Sequence, residues 1–391
     1  MSPSKIQIII SGGGTGGHIY PAISIANALQ QIDPELRIAF IGARDRLESQ
    51  IVPQYGFQFF PISVAGFPRR LTLQWVPVIF KVVAGLIQAS QLLQQIKPLI
   101  VVGTGGYVSG PVLCAAHLNR ILTVLQEQNA VPGLTNRILA TWVQEAYLSL
   151  PAAKSYFPPE VGKVTGNPIR PEIGQQLPRA SELFQKYGLS PDLKTIFVMG
   201  GSQGATAINQ LVLGMIDQIL STSDERCFQI VHQTGKQRSD QIRHFYGQKS
   251  DLLSLTEPYF DHVEEIYALT DLMICRSGGS TISEITACGI PAILIPRDSA
   301  DNHQYHNAEA LASAGAAAIC PQNRTTAVDL ADLVIDLLTN EDQLSQMAMS
   351  SRNLGQPNAS QEIACSILKL LPLLSKQTTC REQDSPKDTF K

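Results

Sequence analysis

The chain has 391 residues, of which 44% are apolar and only 16% charged, with a net charge of -3. That length holds two domains with full cores, and the charge balance implies no general affinity for nucleic acid. Seven scattered cysteines with no C-x-x-C and no metal-ligand spacing predict free thiols in a reducing compartment.

A strand over residues 6–11 is expected almost at once, leaving no room for a signal peptide. No apolar run reaches the ~20 residues of a spanning helix. Further strands are predicted at 37–41, 99–103, 122–125 and 146–149, alternating with helices at 19–31, 46–54, 76–95 and 108–118. Strands that alternate with helices read as a parallel sheet covered on both faces. The breakers Gly166-Asn167-Pro168-Ile169-Arg170-Pro171 fit an interdomain linker. The alternation restarts with strands at 195–199, 228–232, 252–255, 272–275, 292–295 and 317–320. Helices follow at 329–338, 341–353 and 360–371, and then a polar tail, 373–391, expected to be disordered. The fold class is therefore α/β, with domains over 1–165 and 166–359.

Each half opens on the same unit. The first strand runs into Gly12-Gly13-Gly14-Thr15-Gly16-Gly17-His18, and the strand at 195–199 into Gly200-Gly201-Ser202-Gln203-Gly204-Ala205. Strand, glycine turn and helix together present free backbone N–H groups and a helix N-terminus to a phosphate. Gly12, Gly14 and Gly17 also match G-x-G-x-x-G, but no acidic residue stands at the tip of the second strand, where a dinucleotide site would want one. A generic phosphate cradle fits better. His18 is either a helix-entry histidine bonded to backbone or a general base facing a cleft, kept neutral by the helix N-terminus.

Four more stretches point the same way. Gly103-Thr104-Gly105-Gly106-Tyr107 is a second glycine turn in the first half, and two anion sites on one edge suit a diphosphate. Glu127-Gln128-Asn129 follows a strand, at the carboxyl edge where such folds bind ligands. In the second half, Cys275-Arg276-Ser277-Gly278-Gly279-Ser280-Thr281 repeats the unit, with Glu284 one turn inside the helix. That carboxylate either takes the two hydroxyls of a ribose or merely complements the helix dipole. The polar run 298–307 either orients a sugar or is a solvated loop. The chain contains neither D-x-D nor G-x-x-x-x-G-K-[ST], so diphosphate charge would be met by glycine turns, helix dipoles and Arg170.

At these residues the sequence resembles one family: the bacterial cell-wall enzymes that add N-acetylglucosamine to lipid I, the UDP-GlcNAc:undecaprenyl-pyrophosphoryl-muramoylpentapeptide transferases. The matching words are GGGTGGH at 12–18, GTGGYVSGP at 103–111, EQNAVPGLTN at 127–136, GNPIRPE at 166–172, GGSQGA at 200–205, HQTG at 232–235, CRSGGSTISE at 275–284 and HQYHNA at 303–308. The resemblance implies the GT-B architecture, two Rossmann-like domains with the final helix 360–371 packed back on the first. It implies an inverting transfer from UDP-GlcNAc to the muramoyl 4-hydroxyl, the lipid I to lipid II step, with no cofactor and no protein-held metal.

The resemblance also implies roles. His18 is the base. The donor is held by Thr15, Gly16, Gly17, Asn129, Arg170, Ser202, Phe260, Gly279, Ser280, Thr281, Glu284, Gln304 and Asn307. Within that set Glu284 takes the ribose, the Phe260 backbone reads uracil, and Gln304 and Asn307 touch the sugar. Gly13, Gly14, Gly105, Gly106 and Tyr107 face the acceptor and its diphosphate. His303 stands where some members carry glutamine.

A lipid-linked acceptor requires contact with a bilayer. Trp75, Ile79, Val82, Val83 and Leu86 form one helical stripe, with Phe80 beside it and Arg69, Arg70 and Lys81 flanking. By pattern alone this is either a core helix or a surface patch. With the resemblance it becomes an anchor on anionic lipid at the cytoplasmic face of the inner membrane. Expected partners are then UDP-GlcNAc, undecaprenyl-linked lipid I, the anionic membrane surface and other cell-wall synthesis proteins, and no nucleic acid. The alternatives are a GT-B transferase of another acceptor, a UDP-sugar epimerase, a UDP-sugar sensor, and an NADP oxidoreductase that would leave the second half's turns unexplained.

Overall fold

The computed structural model describes residues 6–64, 75–174, 177–201, 203–222, 228–298 and 302–371, and in the helix starting at Trp75 it describes side chains from Phe80 onward. Arg69, Arg70, Ser202, the tail 373–391 and the side chains of Trp75 and Ile79 lie outside the described residues.

Two parallel sheets carry the fold. The first comprises β1 (Ile8–Ser11), β2 (Ile38–Ala43), β3 (Gln58–Ile62), β4 (Ile100–Gly103), β5 (Leu122–Glu127), β6 (Glu145–Leu148) and β7 (Gly162–Val164), in the spatial order β3-β2-β1-β4-β5-β6-β7. The second comprises β8 (Lys194–Met199), β9 (Phe228–Gln233), β10 (Ser254–Glu257), β11 (Leu272–Cys275), β12 (Ala292–Leu294) and β13 (Ala317–Ile319), in the order β10-β9-β8-β11-β12-β13. Every described pairing is parallel, with Ile8 in register with both Ile38 and Ile100, and Ile196 with both Ile230 and Leu272. In each sheet the first strand of the half is central and the order reverses beside it, which opens a crevice at the carboxyl ends of β1 and β8.

Both faces of each sheet are covered, so the central strands are continuous apolar runs. Ile8 and Ile10 pack on one side with Ile19 and Ile23 of helix Gly16–Ile32, while Ile9 packs on the other with Val101, Val112 and Leu93. Phe197 and Met199 likewise face one layer, and Ile196 and Val198 the other. The last helix, Ala359–Leu370, lies against helix Gly16–Ile32 of the first domain. Ile363 and Ile367 join the Ile8–Ile10 core with no exposed surface. Burial of such side chains contributes about 1.5–3 kcal/mol each. Ser366 Oγ adds a hydrogen bond to Glu145 Oε2 at 2.6 Å.

Three elements differ from expectation for identifiable reasons. Strand β3 reads Gln58-Phe59-Phe60-Pro61-Ile62, and its proline disguises it, yet it is the edge strand, where a missing N–H is tolerated. β7 has three residues on the opposite edge. The polar run 298–307 is not simply a loop, because residues from His303 onward form the helix His303–Ser313, entered through Asn302 at φ +46°. Among the described residues no helix is long and apolar enough to cross a membrane.

Candidate active site

The turns after β1 and β5 meet the turn after β11 and the helix His303–Ser313 across the crevice. The seam is close-packed. A Cβ on Gly279 would lie 2.7 Å from the carbonyl oxygen of Gln128, so only glycine lets the second domain's helix start approach the first domain here. Ala130 N donates to Asn307 Oδ1 at 2.8 Å, and His303 Nδ1 lies 3.1 Å from the Val131 carbonyl.

His18 sits in the first turn of helix Gly16–Ile32, beside the turn after β4. Its Nδ1 lies 3.1 Å from the Thr104 carbonyl and 2.8 Å from Gln128 Oε1. The Gln128 amide orientation is set by its Nε2, which donates to Thr104 O at 2.7 Å. Both neighbours of Nδ1 are therefore acceptors, so Nδ1 carries the proton and Nε2 keeps the lone pair. Nε2 has no partner among the described residues. Burial pushes the imidazole pKa below its ordinary 6.5, against the opposing pull of Glu127, Gln128, Thr104 and Glu48. A neutral imidazole with an unengaged Nε2 is the form that accepts a proton. Gly105 and Gly106 hold this arrangement at φ +96° and +79°, and a Cβ on Gly105 would lie 2.8 Å from His18 Nδ1.

Around His18 stand two buried carboxylates. Glu127 accepts from Asn129 N (2.9 Å), Asn129 Nδ2 (3.1 Å), Gly133 N (3.2 Å) and Asn136 Nδ2 (2.8 Å), which orders the turn after β5. Glu48 has no exposed surface and accepts from Gly14 N at 3.0 Å and Ala43 N at 3.1 Å. The Gly14 N–H is thus engaged by Glu48, which would have to release it for that amide to meet an acceptor diphosphate. Gly13 is required for Glu48 to reach the loop, since a Cβ there would lie 2.3 Å from Glu48 Oε1. Glu48 does not stand out in the sequence, because its partners, Gly14 and Ala43, lie outside its own helix. The signal for burial was its i,i+4 relation to the core residue Val52.

In the second domain, Glu284 accepts from Tyr267 OH at 2.8 Å and lies 3.8 Å from Arg170 Nη2. Burial pushes its pKa up, opposed by Arg170 and the Tyr267 hydrogen bond. Ser280 and Thr281 occupy the first turn of helix Gly279–Cys288. The Ser280 hydroxyl is enclosed without a partner among the described residues, 3.9 Å from where a Cβ on Gly17 would be. Thr15 and Gly16 stand exposed or half-exposed at the opposing helix start. Two predicted contacts are otherwise engaged. The Phe260 N–H donates to Gln233 Oε1 at 3.0 Å, which Gln233 would have to release for that amide to read a base. Asn307 is fully buried and bonds Ala130 N, Asn129 Oδ1 and Ser277 O, so it clamps the domains rather than facing the crevice. Gln304 is half-buried, with its Oε1 accepting from Arg297 N at 2.8 Å. Phe80 and Lys81 are exposed, away from this seam on helix Trp75–Ile96.

Comparison with known proteins agrees with this geometry. The profile of the glycosyltransferase family 28 N-terminal domain matches residues 8–148, and that of the family's C-terminal domain matches 195–363. A relative from Halothermothrix orenii, named UDP-N-acetylglucosamine--N-acetylmuramyl-(pentapeptide) pyrophosphoryl-undecaprenol N-acetylglucosamine transferase, is 41% identical over 90% of this chain and 95% of its own. A Salinibacter ruber relative of the same name is 38% identical over 95% and 98%. The crystal structure of MurG from Acinetobacter baumannii superposes with a TM-score of 0.76 at 28% identity, covering 93% of this chain and 99% of that one. A UDP-N-acetylglucosamine 2-epimerase superposes with a TM-score of 0.65 at 17% identity, a likeness of fold alone. The chain belongs to glycosyltransferase family 28, in the group of the UDP-N-acetylglucosamine–N-acetylmuramyl-(pentapeptide) pyrophosphoryl-undecaprenol N-acetylglucosamine transferases.

Proposed function

We propose that this protein transfers N-acetylglucosamine from UDP-GlcNAc to the 4-hydroxyl of the muramoyl residue of an undecaprenyl-pyrophosphoryl acceptor, converting lipid I to lipid II. The observation that carries the reading is the His18 imidazole, anchored through Nδ1 with Nε2 unengaged at the crevice. Nε2 takes the hydroxyl proton as the oxygen attacks the anomeric carbon. The bond from that carbon to the UDP oxygen breaks, and inversion gives a β-linkage. Negative charge grows on the departing diphosphate, where the helix start at Gly279–Thr281 and the Arg170 guanidinium stand ready. Glu284 exchanges its present partners for the ribose hydroxyls. No protein-held metal enters this scheme, so transfer should persist after exhaustive chelation.

The acceptor places the protein on the cytoplasmic face of the inner membrane. Supporting this, Phe80, Val83 and Ile87 are 72%, 47% and 52% exposed on successive turns beside the exposed Lys81. Incubation of the purified protein with UDP-GlcNAc and a short-chain lipid I analogue tests the function. The expected result is a product heavier by one N-acetylhexosamine, with stoichiometric UDP. Release of UDP without that product, or conversion of UDP-GlcNAc to its 2-epimer, would overturn the reading.

A further inference from the structure

An apolar cavity of about 280 Å³ lies on the first domain, away from the donor side. Its walls are Val82 and Leu86 of helix Trp75–Ile96, Pro111 and Cys114 of helix Ser109–Leu118, Ile138 of helix Leu134–Leu139, and Trp142. Among the described residues no charged side chain lines it. Sugar, uracil and diphosphate would each leave polar groups unpaired in such surroundings.

The cavity is tied to the catalytic turn by Tyr107, which also lines it. Gly105 packs on His18, Gly106 packs on Gly13, and Tyr107 is the next residue. Two peptide units separate Gly105 from Tyr107, a span of at most about 7.6 Å. A group joined to the acceptor sugar by a short linker along this turn therefore arrives at the cavity. Ile138 at the rim is 55% exposed, and outside it Val83 and Ile87 are 47% and 52% exposed, so the apolar path continues over the surface. Small-molecule pockets run from ~300 Å³ upward, so this cavity holds a short stretch of hydrocarbon and not a whole polyprenyl chain.

We propose that this cavity seats the first isoprene units of the acceptor's lipid, next to its diphosphate, while the rest of the chain leaves over Val83 and Ile87 towards the bilayer. The inference rests on the acceptor assignment made above and adds to it a direct protein site for the lipid. Without such a site, the hydrocarbon would act only by holding the acceptor in the membrane.

The test uses the full chain without vesicles or detergent, so that partition into a bilayer contributes nothing. Two muramoyl-pentapeptide pyrophosphates serve as acceptors, one carrying a farnesyl chain and one a methyl group. The parent should show a KM for the farnesyl acceptor roughly tenfold or more below that for the methyl one. Cys114→Phe, which fills the cavity, and Ile138→Gln, which makes its rim polar, should remove most of that advantage while UDP affinity stays within twofold. Equal KM values for the two acceptors in the parent, or an undiminished farnesyl advantage in both variants, would overturn the proposal. If neither acceptor is glycosylated, the functional reading fails, and the cavity is judged by fluorescence instead. The chain has two tryptophans, so Trp75→Phe leaves Trp142 as the reporter. Farnesyl pyrophosphate should change its emission saturably, inorganic pyrophosphate should not, and adding Cys114→Phe should weaken the response roughly tenfold. No saturable response to farnesyl pyrophosphate would overturn the proposal independently of any transfer.

Discussion

The turns at 12–18 and 278–284 are the same backbone unit put to opposite electrostatic use. Both follow a central strand and open a helix. Beside the first stand the buried carboxylates Glu48 and Glu127, and one of its amides is already bonded to Glu48. Beside the second stands Arg170, 3.8 Å from Glu284. Negative charge from Glu127 and Glu48 favours the protonated form of His18, as the proposed role of base requires. In the proposed reaction Arg170 and the second helix N-terminus would favour the departing diphosphate once Glu284 turns to the ribose. A glycine turn therefore supplies shape and dipole, and the side chains packed around it decide whether the site handles a proton or an anion.

The hardest blow to this contrast is His18→Ala. A general base contributes ~10²–10⁴-fold, so turnover should fall by that factor with UDP affinity unchanged. Activity within threefold of the parent would assign the proton to another group and leave the first turn with no chemical role distinct from the second. The parent's kcat/KM should also fall on the acid side with an apparent pKa below 6.5, because burial lowers that of His18. An acid limb above 6.5 would contradict the assignment.

Glu284→Ala attacks the other side. Losing a pair of charge-assisted hydrogen bonds to a ribose weakens binding by about 2–4 kcal/mol, roughly 30- to 700-fold in the affinity for UDP. Titration calorimetry with UDP measures it. The substitution also strips Tyr267 OH of its acceptor, so a melting curve should accompany the titration. Unchanged affinity would reduce Glu284 to a structural partner of Tyr267 and Arg170.

Glu48→Gln should have a smaller effect. The glutamine keeps the shape, but its NH₂ faces an amide donor, at Gly14 or at Ala43, leaving a buried conflict of about 1–3 kcal/mol. Turnover should drop about tenfold through loop disorder. Glu48 also raises the proton affinity of His18, so its neutralisation should move the acid limb of kcat/KM to lower pH. A turnover loss with no movement of that limb would mean Glu48 only shapes the loop.

The layers of this fold were legible because both sheets are parallel and buried, which writes their central strands as unbroken apolar runs such as Ile8–Ile10 and Ile196–Val198. Edges were not, since β3 tolerates Pro61 and β7 is short. The glycine turns were legible for the same local reason, a backbone need visible in adjacent residues. The groups that tune them come from far away in sequence. Glu48 reaches Gly14 across 34 positions, Gln128 reaches His18 across 110, and Ala130 reaches Asn307 across 177. No window of periodicity contains such pairs. For that reason the hydrogen bonds of Asn307 to Ala130 and Asn129 across the domains were not legible in the sequence.

The halves differ also in how they hold a histidine, and this gives the smallest predicted effect. His18 keeps one nitrogen open, whereas His232, on β9, uses both. Its Nε2 lies 3.2 Å from Asn209 Oδ1 and its Nδ1 3.1 Å from Tyr246 OH. Asn209 Nδ2 donates to Thr234 O at 2.9 Å, which sets the amide so that Nε2–H donates and Nδ1 accepts. The ring is fully buried, and burial lowers its pKa to about 3. Unfolded, it titrates near 6.5. Above that pH neither state is protonated and the group has no effect. As pH falls below 6.5 the unfolded chain takes up a proton that the folded ring refuses, so stability declines by up to about 1.4 kcal/mol per pH unit until the folded pKa is reached. At pH 5 the loss from this residue is about 2 kcal/mol. His232→Gln removes the titration, so its denaturation free energy should fall less steeply between about pH 6.5 and 5. The depressed pKa of His18 keeps some slope in both proteins. Parallel slopes in parent and variant would show that His232 is protonated as readily folded as unfolded and would overturn the assignment of its two hydrogen bonds to a neutral ring.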